Sequence, residues 1–472
     1  MLLLLSSLSL LTPPVLVPPV LSIREGDTHL AAKEFAQAER SYQAAGSFDR
    51  KQALPHLRLA QVYAARGQYD RAKAEYEAAL SSRADDVPAQ VGLGIVEMEL
   101  GELAEAARRL DQALDRQPHL AQARYYLGLA YLRDGKLDRA AKEFATLLKE
   151  PTPVPRDGAW RQKAHYRLGQ ILLATDTDAA ITHLQEATRS QEDRQVADDA
   201  GVLLAIAQAV KNQGNREAYT SALLGHAFLK VHEPVLARRQ LEAALSREPD
   251  YVDALSYLGY AYWLEGMPDK ALETLAKVTA LEPDQPLGHY FLGIVLARLK
   301  HIDEAAAELE RAARLDPDDA ALLIELADVL ANRGDYARAE ALFERAGVLE
   351  PDNPEIQTLL ARFYLDRAYR VERALTIAER AVDRWPDRAD ATGALGWALY
   401  ATGRPDDARE ALQRAADIDP DSAEIHYRLG VVLQHLGENA SAALEYQRAI
   451  DLDRGTRYAE RAMNALNTIE GP

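Results

Sequence analysis

Residues 319–352 read DAALLIELADVLANRGDYARAEALFERAGVLEPD, and this stretch decides the fold. Apolar residues recur in it at intervals of three or four, at Leu326 and Leu330 in the first half and at Ala339 and Phe343 in the second. Such intervals place the side chains on one stripe of an α-helix, and the stripe changes phase at the Arg-Gly-Asp sequence between the halves. The stretch therefore predicts two amphipathic helices joined by a tight turn.

The same pattern returns at a nearly fixed distance along the chain. Each copy ends in a proline, and successive prolines are 34 residues apart, with one interval of 35. These prolines are Pro249, Pro283, Pro317, Pro351, Pro386 and Pro420. Proline ends a helix because it has no backbone N–H and clashes with the preceding turn. One hairpin alone would leave its apolar face in water, so the copies are expected to stack on one another.

The period and the placing of small and large residues resemble the tetratricopeptide repeat (TPR) family. In the copy that ends at Pro283, the family's large, small and aromatic positions are filled by Leu258, Gly259, Tyr262, Ala271 and Leu275. The resemblance implies an all-α fold, a right-handed superhelical solenoid of about twelve helix-turn-helix repeats. It also implies a non-enzymatic scaffold or adaptor that holds a protein or peptide partner in a concave groove.

The phase of the pattern divides the chain into blocks. An apolar leader (1–23) precedes an N-terminal TPR block of about four repeats (24–154). A proline-rich break and irregular helical repeats (155–217) separate this block from a regular C-terminal block of seven repeats (218–456). Residues 457–472 are expected to form a capping helix with a polar face, and a tail. Residues 194–217 have no clear phase.

The leader is a candidate signal segment with an incomplete signature. Residues 2–11 have the length of a signal-peptide apolar region, but no Lys or Arg precedes them and no Ala-x-Ala cleavage site follows. Two proline pairs interrupt the apolar run, which argues against a membrane-spanning helix. A periplasmic or membrane-associated location is expected slightly more than a cytoplasmic one, and a disordered leader or a misplaced start codon are the alternatives.

Composition narrows the function classes. The formal net charge is −18, which disfavours nucleic acid as a partner because phosphate backbones are bound by clustered Lys and Arg. The chain has no cysteine, so disulfides, thiolate catalysis and cysteine zinc sites are excluded. The eleven histidines show no metal-binding spacing, and His426 and His435 are expected to be hydrogen-bonded surface groups. We predict no cofactor, no metal and no catalytic residues.

The resemblance implies that certain first-helix positions face the groove. In this chain those positions are rich in aromatic residues, which are good binding anchors when exposed. The predicted groove residues are Tyr125, Tyr260, Trp263, Tyr290, Arg298, Trp397, Tyr400 and Tyr427. The same spacing is compatible with packing against the adjacent hairpin, which is the alternative interpretation.

Three other functions fit the sequence less well. The chain could be a structural part of an envelope secretion, pilus or exopolysaccharide export assembly, delivered by its leader. It could also assemble with itself into a filament through its open ends. A polysaccharide stacked on ring faces is a further candidate ligand. The Lys and Asn carboxylate clamp of chaperone-binding TPR proteins is absent, since the early groove positions hold Leu57, Gln61, Val91, Ile95 and Tyr125.

Overall fold

The computed structural model describes residues 19–48, 52–149, 158–190, 192–211, 217–367, 369–452 and 457–470. These ranges contain 26 α-helices and no β-strand, which confirms the all-α helical-repeat fold. The leader up to residue 18 and the proline-rich residues 150–157 lie outside the described residues. Helix α1 begins at Pro19, close to the predicted start of the repeats.

The first half of the chain holds α1 (Pro19–Ala31), α2 (Phe35–Phe48), α3 (Ala53–Ala65), α4 (Tyr69–Ser82), α5 (Val87–Glu99), α6 (Leu103–Arg116), α7 (Ala121–Arg133), α8 (Leu137–Lys149), α9 (Gly158–Leu172), α10 (Thr177–Arg189), α11 (Arg194–Lys211), α12 (Glu217–Lys230) and α13 (Pro234–Arg247). The second half holds α14 (Val252–Leu264), α15 (Pro268–Leu281), α16 (Pro286–Arg298), α17 (Ile302–Leu315), α18 (Ala320–Arg333), α19 (Tyr336–Leu349), α20 (Pro354–Asp366), α21 (Val371–Arg384), α22 (Ala389–Ala401), α23 (Pro405–Ile418), α24 (Ala423–His435), α25 (Asn439–Leu452) and α26 (Arg457–Glu470).

The chain separates into two compact units. Unit 1 consists of residues 1–134 and 446–472, and unit 2 consists of residues 135–445. Within unit 2, α8, α9, α10, α11 and α12 each pack on the next helix. The helices around the predicted break at 155–217 are therefore part of one continuous stack.

Close helix packing explains the repeated small residues. In the hairpin of α16 and α17, a Cβ atom added at Gly293 would lie 2.5 Å from the Cγ atom of Leu309, so only glycine fits there. Leu309 itself is fully buried between these helices. The repeat prolines stand just beyond the second helices, as with Pro317 after the end of α17 at Leu315. The 34-residue period thus reflects one packing unit of two helices.

The one interval of 35 residues has a local structural basis. The extra residue falls in the turn between α20 and α21, where Arg370 adopts a left-handed backbone with φ of 50°. The buried carboxylate of Glu340 accepts hydrogen bonds from the hydroxyls of Tyr364 and Tyr369, at 2.7 and 3.1 Å. It also accepts bonds from the guanidinium groups of Arg370 and Arg373, at 2.9 and 2.8 Å. These bonds connect residues on either side of the longer turn to α19.

Helix α11 accounts for the stretch whose phase is unclear. It is longer than its neighbours, with 18 residues, and it buries Ala200, Leu203, Ala207 and Val210. It contacts α9 and α10 on one side and α12 on the other. Among the described residues, α11 forms no hairpin with a second helix of its own, and this is why the two-helix pattern fails there.

In unit 1, the end of α25 lies against the first hairpins. The carboxylate of Asp451 forms an ion pair with Arg66 at 3.3 Å, and both side chains are buried. Arg66 also pairs with Glu39 at 2.6 Å, and the N–H of Ala36 donates to Asp451 at 3.4 Å. Burial raises the pKa of Asp451, and Arg66 opposes this rise. This part of the C-terminal segment is therefore covered within the chain.

Candidate protein-interaction surfaces

The first helices of successive hairpins form a shared surface, which we call the first-helix surface. In unit 2, each helix of the series α12, α14, α16, α18, α20, α22 and α24 contacts the next one. In unit 1, α3, α5 and α7 do the same. Side chains from several hairpins can therefore meet on this surface, and the predicted groove residues lie on its helices.

Five rings on α12, α14 and α16 form a continuous cluster, which we call the aromatic row. His226 stacks on Tyr257, with ring centroids 4.4 Å apart and planes 13° apart. Tyr257 meets Phe291 edge to face at 5.8 Å, and Tyr260 stacks on Phe291 at 4.7 Å. Tyr290 lies 5.3 Å from Phe291 in a tilted arrangement. Phe291 is thus the ring on which the three tyrosines converge.

The aromatic row combines one buried ring with three rings that are partly exposed to solvent. Phe291 is buried, whereas Tyr257, Tyr260 and Tyr290 are only half-buried. Trp263 is also half-buried and packs against the same cluster. The predicted anchors Tyr260, Trp263 and Tyr290 are therefore brought together. Phe291 is not among the predicted groove residues, because it does not occupy a groove position. Its place directly after Tyr290 in the sequence could have indicated that it contacts the same cluster.

A charged pair lies beside the aromatic row. Arg298 on α16 forms an ion pair with Glu325 on α18, with 3.5 Å between Nη2 and Oε2, and half of the arginine side chain is exposed. Burial raises the pKa of Glu325, and Arg298 opposes the rise. Burial also raises the pKa of Tyr260 and of Tyr290, and Glu325 adds to both rises. At neutral pH the two phenols are uncharged and can donate hydrogen bonds.

Trp397 lies in a different environment on α22. The guanidinium of Arg428, on α24, lies 5.3 Å from the centre of the Trp397 ring. Arg428 pairs with Glu424 on its own helix at 2.7 Å and with Asp366 on α20 at 3.6 Å. Arg362 on α20 pairs with Glu424 at 3.4 Å. These four charged residues, which we call the ion clamp, bridge α20 and α24 across α22, and the Arg428 side chain is 4% exposed.

The remaining predicted residues of unit 2 lie near the ion clamp. Tyr400 stacks on Trp397 with ring centroids 5.1 Å apart and meets His435 edge to face at 5.5 Å. Tyr427 is half-buried and His435 is exposed. The expectation that His426 is a surface group is wrong, because this residue is 3% exposed and bonded to Glu445 at 2.6 Å.

In unit 1, the first-helix surface carries a cavity rather than a row of rings. The cavity has a volume of about 430 Å³. Its lining includes Gln61, Val91, Ile95, Leu120 and Gln122. The predicted groove residue Tyr125 is 6% exposed and meets Tyr126 edge to face at 5.5 Å, so little of its ring is available to a partner.

Two further properties of the described residues bear on the chemistry of the site. Within them, no group of three or more His, Cys, Asp or Glu side chains is placed to hold a metal ion. No helix in the same ranges has the length and apolar character needed to cross a bilayer. The first-helix surface offers ring faces, hydrogen-bonding groups and ion pairs.

Family models match ranges between residues 57 and 456 of the chain. Two family models, both described as tetratricopeptide repeat, match it. One matches residues 229–293 and 296–363, and the other matches residues 57–107, 91–154, 364–423 and 394–456. Together they cover more than half of the chain. Among curated proteins, none matches.

Solved structures with similar folds include three helical-repeat proteins. Yeast Tom70 has 16% identity and a TM-score of 0.41, with 96% of this chain and 95% of Tom70 covered. A thermophilic TPR protein of Thermus thermophilus has 27% identity and a TM-score of 0.34, with 39% of this chain and 99% of that protein covered. YrrB, described as a TPR protein with an unusual peptide-binding site, has 21% identity and a TM-score of 0.30, with 41% of this chain and 98% of YrrB covered.

Proposed function

Because this chain belongs to the tetratricopeptide repeat family, whose members are in general protein-interaction scaffolds, we propose that it binds a protein or peptide partner on the aromatic row of unit 2. The observation that carries the proposal is the convergence of Tyr257, Tyr260 and Tyr290 on the buried ring of Phe291. Rings held in this way lose little conformational freedom when a ligand covers them.

The chemistry of the aromatic row favours a particular kind of ligand. Ring faces and edges of half-buried tyrosines offer a large apolar contact area, and their hydroxyls offer hydrogen bonds to a peptide backbone. Arg298, with half of its side chain exposed, lies beside the rings and can pair with a carboxylate of the ligand. We therefore propose a peptide segment with an apolar or aromatic anchor and a neighbouring acidic residue.

The first experiment identifies the partner and tests whether it binds on the aromatic row. The full-length chain and a Tyr260→Ala, Tyr290→Ala double variant are used side by side to capture proteins from a lysate of the native host. A partner that the wild-type chain retains is then purified, and its Kd is measured for both proteins. We expect the double variant to bind at least tenfold more weakly, because buried aromatic anchors dominate interface energy.

Matched controls separate the aromatic row from other exposed rings. Tyr219 lies on α12 and is 40% exposed, and it is not one of the five rings of the row. Tyr219→Ala is expected to bind the partner as the wild-type chain does. Equal Kd values for the double variant and the wild-type chain would contradict the proposal. An Ile95→Asp variant would then test whether the cavity of unit 1 is the binding site instead.

A further inference from the structure

Four hairpins share a histidine at the same place in the first helix. His56, His165, His289 and His426 each stand three residues before the leucine of the Leu-Gly or Leu-Ala pair. In three of these hairpins a glutamate of the second helix faces the histidine, directly before the large core residue of that helix. The Nδ1 to Oε2 distances are 2.6 Å for His56 and Glu75, 2.5 Å for His289 and Glu308, and 2.6 Å for His426 and Glu445.

The hairpin of α9 and α10 departs from this arrangement. The residue that faces His165 is His183, which stands directly before Leu184 where the other hairpins have glutamate. The two Nδ1 atoms lie 2.9 Å apart, and the ring centroids lie 5.1 Å apart. In two of the other hairpins, the Nε2 atom is also occupied, by the carbonyl of Pro283 or of Pro420. In the hairpin of α9 and α10, the imidazole of His183 therefore takes the place of the glutamate carboxylate found in the other three hairpins.

Both imidazoles are uncharged at neutral pH. Burial, together with the neighbouring His183, lowers the pKa of His165 to about 4. Burial also lowers the pKa of His183, and the carboxylate of Glu186 opposes this. The charge of Arg161 also lowers the pKa of His165, and its guanidinium donates to the carbonyls of Leu147 and Leu148, at 3.2 and 2.8 Å. Neutral imidazole nitrogen is the form that binds transition metals.

We infer that His165 and His183 bind a divalent transition-metal ion, Cu²⁺ or Ni²⁺, through their two Nδ1 atoms. Metal to imidazole bonds are about 2.0–2.1 Å long, so two nitrogens at 90° around the metal are separated by about 2.9 Å, whereas tetrahedral angles require about 3.4 Å. The observed 2.9 Å equals the separation for square-planar or tetragonal geometry, which Cu²⁺ and Ni²⁺ adopt with nitrogen ligands. In the metal-free pair the two Nδ1 atoms point at each other and the ring centroids are 5.1 Å apart, so both rings must turn for their lone pairs to face one ion.

The ion would take two ligands from the protein and the others from water. Both rings are half-buried, which leaves solvent access to the pair. Without metal, one ring donates its Nδ1 proton to the other. Binding moves that proton to Nε2 through solvent, so the neutral pair loses no net proton. The bound ion links α9 to α10 and stabilises this hairpin relative to the unfolded chain.

The test uses the full chain without a polyhistidine tag. CuCl₂ is titrated at pH 7 and followed by calorimetry and by electron paramagnetic resonance. We expect one preferred site per chain, a spectrum with two equatorial nitrogen ligands, and a concentration-dependent rise in Tm. His183→Glu recreates the pair found in the other three hairpins, so it should fold, and it should lose the two-nitrogen signal and at least tenfold in affinity.

Two further variants make the result decisive. His165→Gln removes the other ligand and should have the same effect on the spectrum. His289→Gln removes a histidine whose two nitrogens are both occupied, and it should leave the preferred site unchanged. If the wild-type chain shows no two-nitrogen site, or if His183→Glu and His165→Gln bind Cu²⁺ as the wild-type chain does, the inference is wrong.

Discussion

The aromatic row and the ion clamp lie on the same series of first helices in unit 2 but differ in the groups that contact their rings. In the aromatic row, Tyr260 and Tyr290 contact the ring of Phe291. The nearby Arg298 on α16 forms its ion pair with Glu325 on α18. In the clamp, Arg428 lies over Trp397. Trp397, Tyr260 and Tyr290 are all half-buried, so we expect a groove aromatic to act as a binding anchor when no charged group of an adjacent hairpin packs on its face.

The reason for the difference lies in residues one repeat away. Arg428 reaches over α22 because Asp366 and Glu424 provide two carboxylates for its guanidinium. Next to the aromatic row, Arg298 has one carboxylate partner, and half of its side chain remains exposed. The ion clamp is expected to contribute to stability, and the aromatic row to binding. Stability and partner-binding measurements on variants of each region distinguish these two roles.

The largest expected effect is that of Arg428→Ala on stability. Its removal takes a buried guanidinium away from Asp366 and Glu424, although Glu424 keeps its pair with Arg362 at 3.4 Å. Removing one partner of a buried ion pair costs about 3–5 kcal/mol. Urea unfolding followed by tryptophan fluorescence should show the loss. Arg409→Ala breaks a pair with Glu438 in which both side chains are more than one third exposed, and it should cost less than about 1 kcal/mol. Similar losses of unfolding free energy for Arg428→Ala and Arg409→Ala would show that the ion clamp contributes no more to stability than an exposed ion pair.

The second effect concerns partner binding. Tyr290→Ala should weaken binding by about 1–3 kcal/mol, because Tyr290 is a half-exposed ring with a buried support. Trp397→Ala should lower stability but change Kd less than twofold, because Arg428 already covers its ring. Titration calorimetry with the captured partner, under conditions where both variants are folded, distinguishes the two. A greater loss of affinity for Trp397→Ala would reverse the assignment of the two regions.

The third effect is a pH dependence located beside the aromatic row. Burial raises the pKa of Glu325 in the folded chain, so the stability linked to its protonation is present below its ordinary pKa of 4.5 and is lost as the pH rises through the folded value. Relative to Glu325→Gln, the wild-type chain should gain stability as the pH falls from 7 towards 4.5. Urea midpoints of both proteins across this range measure the difference. A constant or opposite difference would mean that Arg298 dominates over burial.

The smallest expected effect is that of Arg298→Ala on stability. The pair with Glu325 is 3.5 Å long and half of the arginine side chain is exposed, so its loss should change the free energy of unfolding by less than about 1 kcal/mol. Partner binding should nevertheless become less sensitive to salt if Arg298 pairs with a ligand carboxylate. Kd values at low and high ionic strength check this, and an unchanged salt dependence would remove the carboxylate from the proposed ligand.

The sequence predicts the hairpins well because their determinants are local. Leu309 and Gly293 stand on neighbouring helices of one repeat, and the need for a small residue opposite a large one recurs every 34 residues. The extra residue beside Arg370 is visible as a change of phase in the sequence. The irregular α11 is also foreseen, because residues 196–211 read as one helix without a clear second half.

The all-α repeat fold and the family follow from the sequence, since helix periodicity and turn residues act within a single repeat. Contacts in the folded chain decide which groove residues are covered and how the last turn of α25 meets Arg66. These outcomes depend on long side chains such as Arg428 that reach over a neighbouring helix, and on pairs separated by hundreds of residues. Local periodicity carries no information about such contacts.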